Sequence, residues 1–262
     1  MNAGRRALVR SRADVRPGRS LRYGAMRGRA SFPIVLAAIT AVAISACGGS
    51  GGSNSTSGNG VASKSPQQIL SSAVTAAKGA KSVHVAGTVK NGGQTIAIDL
   101  SITSGHGASG SIAEGNASFK LIEAGGAFYI QPNARFLNEF THSSAAVQLL
   151  RGKWLKGSPS DPSFQSFAQL TSIKSLMGSL TQNHGTLSKG STTTINGAKA
   201  IALHSSKGGT MYVATTGQPY PLQVSKGSGS TVGKVTFTDW NKQFSISAPS
   251  NSVDLSKLQS GG

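Results

Sequence analysis

From residue 82 onward the chain repeatedly alternates apolar and polar residues with a period of two, which restricts it to antiparallel sheet with one wet face. In "SVHVAGTV" Val83, Val85 and Val89 share one side, opposed by His84, Ala86 and Thr88. In "QTIAIDLSI" Ile96, Ile98, Leu100 and Ile102 face one way and Thr95, Ala97, Asp99 and Ser101 the other. The connection "KNGGQ" is a hairpin signal, because glycine accepts the left-handed backbone of a tight turn. "SGSIAEGN", "ASFKLIEAG" and "AFYIQP" follow between Gly- or Asn-containing turns, giving five antiparallel strands in series. The pattern returns around 186–194 and in "AKAIALHSS", "GTMYVATT", "PLQVSKG", "GKVTFTDW" and "KQFSISAP". Their apolar pairs are Ile201/Leu203, Met211/Val213, Leu222/Val224, Val235/Phe237 and Phe244/Ile246.

A sheet with one apolar face needs a cover, and three segments with a period of 3.6 supply it. In "SPQQILSSAVTAAKGA", 65–80, Ser65 caps, Pro66 suits the first helical position and Gln68 closes a capping box. Ile69, Ala73, Val74 and Ala77 then fall on one side, and Gly79 is the stop. "NARFLNEFTHSSAAVQLL", 133–150, reads as a helix interrupted at 141–144, and "RGKWLKGSP" after it carries Trp154. Residues 163–180 place Phe164, Phe167, Leu170, Ile173, Leu176, Met177 and Leu180 three or four apart, a broad apolar stripe. Neither strand series has its own sheet and cover, so 65–258 reads as a single α+β domain of about ten or eleven strands. Its helical insertion is 133–180. The tail "SNSVDLSKLQSGG" reads as loosely docked, frayed at 259–262.

The residues before this domain explain the charge. The formal net charge is +18, and nine arginines precede residue 34 with only Asp14 opposing them. Past Cys47 there are two arginines and fifteen lysines against seven acids, a net of +10. A basic leader, an apolar run at 34–46 and small residues before a cleavage point have the order of an export signal. Thirteen residues of apolar run are too few to cross a bilayer, which takes about 20. Met26 opens "MRGRASFP", a complete basic region of ordinary length, so translation is expected to start there and 1–25 to be an upstream extension. Arg5-Arg6 is too far from the apolar run for a twin-arginine signal.

Cys47, the single cysteine, stands where the apolar run gives way to "GGSGGSNSTSGNGVASK". Ile44-Ser45-Ala46-Cys47 resembles the bacterial lipobox. That resemblance implies a diacylglyceryl group on the thiol, cleavage of a 26–46 signal before Cys47, and acylation of the new amino terminus. Two or three acyl chains anchor stably where one does not. Residues 47–64 then form the acylated cysteine and a flexible tether. The expected location is extracytoplasmic, at the outer leaflet of the plasma membrane in the cell envelope. No thiol remains for disulfide, metal or redox chemistry.

Catalytic motifs fail on context. Gly48-Gly49-Ser50-Gly51-Gly52 matches a nucleophile elbow but lacks the flanking strand and helix. Gly105 to Gly110 matches a dinucleotide fingerprint but joins two strands instead of opening a helix. His84, His106, His142, His184 and His204 show no ligand spacing, and His84 and His204 belong on wet strand faces. Asp99, Glu114, Glu123, Glu139, Asp161, Asp239 and Asp254 are scattered as solvating charges. No catalytic residue, metal or cofactor is expected, and nucleic acid is excluded by the paucity of arginine outside the leader.

The order of elements, with Ile195-Asn196-Gly197, Pro219-Tyr220-Pro221-Leu222 and Thr238-Asp239-Trp240 at strand ends, resembles actinobacterial lipoproteins of the LppX/LprG type over about 65–250. The resemblance implies a strongly curved antiparallel half-barrel, shared with LolA-like carriers, with helices covering the concave apolar face. It also implies a cavity for a lipid or acylated glycolipid. The inward-facing residues would line it: Val83, Val85, Ile96, Ile98, Leu100, Phe119, Leu121, Phe128, Ile130, Phe164, Phe167, Met177, Ile201, Leu203, Met211, Val213, Val235 and Phe237. Two functions stay open: a monomeric, non-catalytic lipid carrier, or a solid-cored surface or sensor domain that binds another envelope protein.

Overall fold

The computed structural model describes residues 58–91, 93–182, 184–227 and 231–259. The leader, the apolar run, Cys47 and residues 48–57 lie outside the described residues.

Helix α1 (Pro66–Lys78) starts on the expected capping box. Ser65 Oγ accepts from the Gln68 N–H at 3.4 Å and Gln68 Oε1 from the Ser65 N–H at 3.1 Å. Ile69, Leu70, Ala73, Val74 and Ala77 are its buried side. Five strands follow, each antiparallel to the next: β1 (Ser82–Asn91), β2 (Gln94–Thr103), β3 (Gly107–Glu114), β4 (Ala117–Ala124) and β5 (Ala127–Pro132). The chain leaves the sheet in α2 (Ala134–Thr141), turns at His142 with φ 50°, and continues in α3 (Ser144–Leu150). β6 (Trp154–Gly157) returns to pair with β5, and α4 (Pro162–Leu170) and α5 (Ile173–Leu180) complete the cover. The second series is β7 (Leu187–Ile195), β8 (Ala198–Ser205), β9 (Gly209–Ala214), β10 (Pro221–Lys226) and β11 (Thr231–Thr238), followed by β12 (Ser252–Asp254) and α6 (Leu255–Gln259).

Among the described residues these twelve strands form one open sheet, ordered β12-β6-β5-β4-β3-β2-β1-β11-β10-β9-β8-β7. The pairing of β1 with β11, His84 opposite Thr238 and Val85 opposite Phe237, joins the two series. It is close: a Cβ added at Gly87 would stand 2.1 Å from the Lys234 carbonyl oxygen, so only glycine admits β11 there. The fold is the α+β curved half-barrel expected, open at β7 and β12, with an apolar core between the sheet and the helices.

Four local readings change. "KQFSISAP" is not a strand. Asp239 (φ 52°) and Asn241 (φ 63°) take left-handed conformations that turn the chain out of β11, and β1 already has partners on both edges. The segment around Trp154, read as part of a helical insertion, holds β6, four residues too few to show a period. The tail, read as loosely docked, is held in the sheet: β12 pairs in parallel with β6, and Val253 and Leu255 pack on the core. Finally, 58–64 is docked instead of tethering. Asn59 Nδ2 donates to the carbonyls of Ala214 and Gly217, both at 3.0 Å, and Val61 is 1% exposed.

Candidate functional site

Six of the nine phenylalanines gather where α2 and α4 cross β4 and β5. Phe119 on β4 meets Phe136 on α2 and Phe167 on α4, both with ring centroids 5.2 Å away. Phe128 on β5 stacks on Phe164 at 6.1 Å, and Phe136 on Phe140 at 6.0 Å. Tilted and edge contacts of this kind add about 0.5–1.5 kcal/mol per pair beyond area burial. Gly157 makes room for one of them, since a Cβ there would lie 2.2 Å from the Phe164 ring. The cluster grades outward, from Phe128 at 0% exposure to Phe140 at 66%.

Two apolar cavities flank this cluster. The more enclosed, about 200 Å³, is walled by Ile130, Leu137, Leu150, Leu155 and Phe164, with Leu255 of α6 and Asp161 at its edge. The larger, about 480 Å³, is walled by Ile96, Ile112, Phe119 and Leu170, with Glu114 and Glu139 at its rim. Phe136, Phe140 and Phe167 belong to both walls. The two spaces therefore adjoin at aromatic side chains carried on α2 and α4. Larger clefts of about 640 and 670 Å³ near His106 and Lys174 are of mixed character, their glycine, hydroxyl and lysine groups interspersed with Ile173 in one and Phe244 in the other.

All the residues expected to line a cavity lie in one apolar cluster. Ile96, Phe119, Ile130, Phe164 and Phe167 face the two cavities. Val83, Val85, Leu100, Leu121, Phe128, Met177, Ile201, Leu203, Met211, Val213 and Phe237 are buried in packed core instead, with half-buried Ile98 and Val235 against it. The inward residues of β1 and β8–β11 are thus packed, whereas the cavities lie along β2–β6 under α2 and α4, over a floor that Leu121 and Phe128 still fill. The expected set missed Phe136, Leu137, Phe140 and Leu150, although their helical stripe in 133–150 was visible. It also missed Leu155 and Leu255, whose elements are too short to have a period.

Ionisable groups stay outside the cavities' depths. His84 Nε2 is 3.0 Å from Asp99 Oδ1 and Nδ1 is 3.2 Å from Thr238 Oγ1, a wet-face cluster on the sheet. His204 is exposed beside Thr210 Oγ1, 3.0 Å away, also as expected of a wet face. Among the described residues no three His, Cys, Asp or Glu side chains gather as metal ligands would. The hydrogen bond from Lys242 holds the Asp239 carboxyl below its ordinary value, and the Ser256 hydroxyl does the same for Asp254. Both acids lie at strand ends, where they order turns.

The described residues thus form an open antiparallel half-barrel with apolar pockets beneath its helical cover. No family model matches the chain, and no curated protein does. Among solved structures, LprF from Mycobacterium bovis is similar with a TM-score of 0.50 at 15% identity, over 70% of this chain and 96% of that one. The lipoprotein LppX from Mycobacterium tuberculosis gives 0.44 at 16% identity, over 69% of this chain and 99% of that one. The likeness to LprF shows the fold, the one expected from the resemblance to LppX/LprG-type lipoproteins.

Proposed function

We propose that this protein is a cell-envelope lipoprotein that carries an apolar or acylated lipid in the hollow half of its half-barrel and catalyses no reaction. The observation that supports this reading most is the pair of adjoining apolar cavities divided by Phe136, Phe140 and Phe167. Both spaces open toward the surface and are lined mainly by apolar side chains, as sites for small apolar ligands are. The larger cavity is within the roughly 300–1,000 Å³ of small-ligand sites. Aromatic rings on two short helices can rotate away to merge it with the smaller one around an acyl chain. The anchor in this reading is Cys47, acylated after removal of 26–46 and joined to the domain by residues 48–57. Ten such residues span about 17 Å r.m.s., which keeps a monomeric domain beside the outer leaflet.

The experiment is native mass spectrometry of the full chain, expressed in a lipid-rich bacterial host and released from its membrane. Lipid is expected to co-purify with wild-type protein and with Thr193→Ala, on the exposed edge strand. Ile112→Trp, which fills the larger cavity, should lose it while remaining folded. Folded wild-type protein that carries no lipid and takes none up from vesicles would remove the reading. The anchor is tested separately: Cys47→Ala should abolish acylation, and a mature N-terminus other than residue 47 would contradict it.

A further inference from the structure

Among the described residues, two large apolar side chains are conspicuously exposed, Phe140 at 66% and Leu149 at 67%. Both are on the α2–α3 pair. Leu137 and Leu150 are the buried residues of the two helices, about 60° around the axis from Phe140 and about 100° from Leu149 respectively. The two helices pack on each other and are only about 10–12 Å long, so both exposed side chains belong to one short helical pair. Phe140 also walls both cavities, which puts the end of α2 at their mouth. The two arginines of the described residues, Arg135 and Arg151, are exposed at either end of the pair, with exposed Lys153 beyond. Glu139 holds Arg135 at 2.7 Å, whereas no ion pair engages Arg151 or Lys153 among the described residues.

We infer that α2–α3 is a membrane-docking surface: Phe140 and Leu149 enter the headgroup region of an anionic bilayer, and Arg151 and Lys153 pair with lipid phosphates. Interfacial binding needs this combination of a small apolar face and unpaired cations. A protein partner would need far more, since a stable interface covers about 800 Å² per side. A bilayer imposes no shape on what it accepts. Docking in this orientation presses the cavity mouth against the membrane, so a lipid tail moves between bilayer and cavity without crossing water. The inference rests on the anchored-carrier reading for the nature of the cargo, but the patch and its charges stand apart from it.

The test uses the full chain in vesicles of phosphatidylglycerol or phosphatidylcholine, with a polarity-sensitive dye on a thiol introduced by Leu149→Cys or, as control, Thr193→Cys. Unsubstituted protein is the blank for any labelling of Cys47. Leu149 walls neither cavity, so its label reports on the surface and not on the cargo. In phosphatidylglycerol the label at 149 should shift to the blue and be shielded from an aqueous quencher, and the label at 193 should not. Adding Arg151→Gln and Lys153→Gln should weaken vesicle binding about thirtyfold, from the loss of two headgroup-paired cations. A label at 149 as accessible as that at 193 overturns the inference. So does shielding already present before vesicles are added, accompanied by a dimer in sedimentation, which would make the patch a protein interface. Native mass spectrometry of the same samples separates the two readings. Bound lipid with an accessible 149 overturns docking alone, and a shielded 149 without lipid overturns the carrier alone.

Discussion

The rings of Tyr220 and Trp240 lie face to face, with centroids 4.5 Å apart and planes within 9° of parallel. Trp240 Nε1 donates to the Pro221 carbonyl at 3.3 Å, and Asn241 Nδ2 donates to Tyr220 Oη at 2.7 Å. Asn241 Oδ1 in turn accepts from the Lys81 N–H at 2.7 Å. Two strand-end motifs on neighbouring strands thus clasp each other and tie the start of β10 and the end of β11 to the entrance of β1, 160 residues earlier. Trp240→Ala should therefore cost about 2–3 kcal/mol, from lost area and a lost ring pair. Urea unfolding reads this directly, and Tyr220→Phe should cost only about 1 kcal/mol, from one hydrogen bond.

Gly157→Ala places a methyl group where the Phe164 ring now lies. The ring must leave its stack on Phe128, and overpacking of this kind costs about 1–3 kcal/mol. Phe164 also walls the smaller cavity, so lipid retention should fall with stability. Unchanged retention in a destabilised variant would show that this wall does not touch the cargo.

The filled and hollow halves should respond differently to substitution. Val213, 0% exposed, is in the filled half, and Val213→Ala should cost about 2 kcal/mol through lost contacts with the cargo retained. Phe167→Ala removes the partition between the cavities and should alter which chain lengths are held. Melting temperature and lipid mass spectra, measured on both variants, separate the two effects.

Asp239 gives a pH signature. Its carboxyl is held below its ordinary value of 3.8, first by the hydrogen bond from Lys242, whose Nζ is 2.6 Å away. A depressed carboxyl stabilises the folded state above the unfolded value, and the contribution disappears as pH falls through the folded one. Asp239→Asn keeps a residue tolerant of the left-handed backbone at φ 52°. Its melting temperature should be below wild type at neutral pH and converge on it as the pH is lowered through the carboxylate range. A gap that persists at acid pH would mean that the side chain acts through geometry alone.

Period carried most of the fold into the sequence. Val83, Val85, Leu100 and Ile102 all point inward as their alternation requires, and Ser65 and Gln68 close the cap that their spacing implies. What period could not carry is where the interior is full. Met211 and Phe119 occupy equivalent inward positions on their strands, yet one packs in core and the other walls a cavity. Phe119 meets Phe136 and Phe167 of the helical cover, a relation between distant segments that no local pattern encodes. Trp154–Gly157 and Ser252–Asp254 escaped for a simpler reason: strands of three or four residues have too few positions to alternate. Phe244 and Ile246 misled because alternation survives in extended chain even where the neighbouring strand, β1, is already paired on both edges.

The pairing of β1 with β11 orders events in time. β1 is among the first strands to be synthesised and is central in the sheet, yet its second partner is 231–238. Until that segment emerges, Val83 and Val85 belong to a raw edge that any passing strand could extend. Closing so long a loop makes the protein a high-contact-order folder, on the millisecond-to-second scale or slower. A nascent chain of this protein is therefore vulnerable to aggregation until nearly its whole length is available, which gives a holding chaperone a defined target: the uncovered edge of β1.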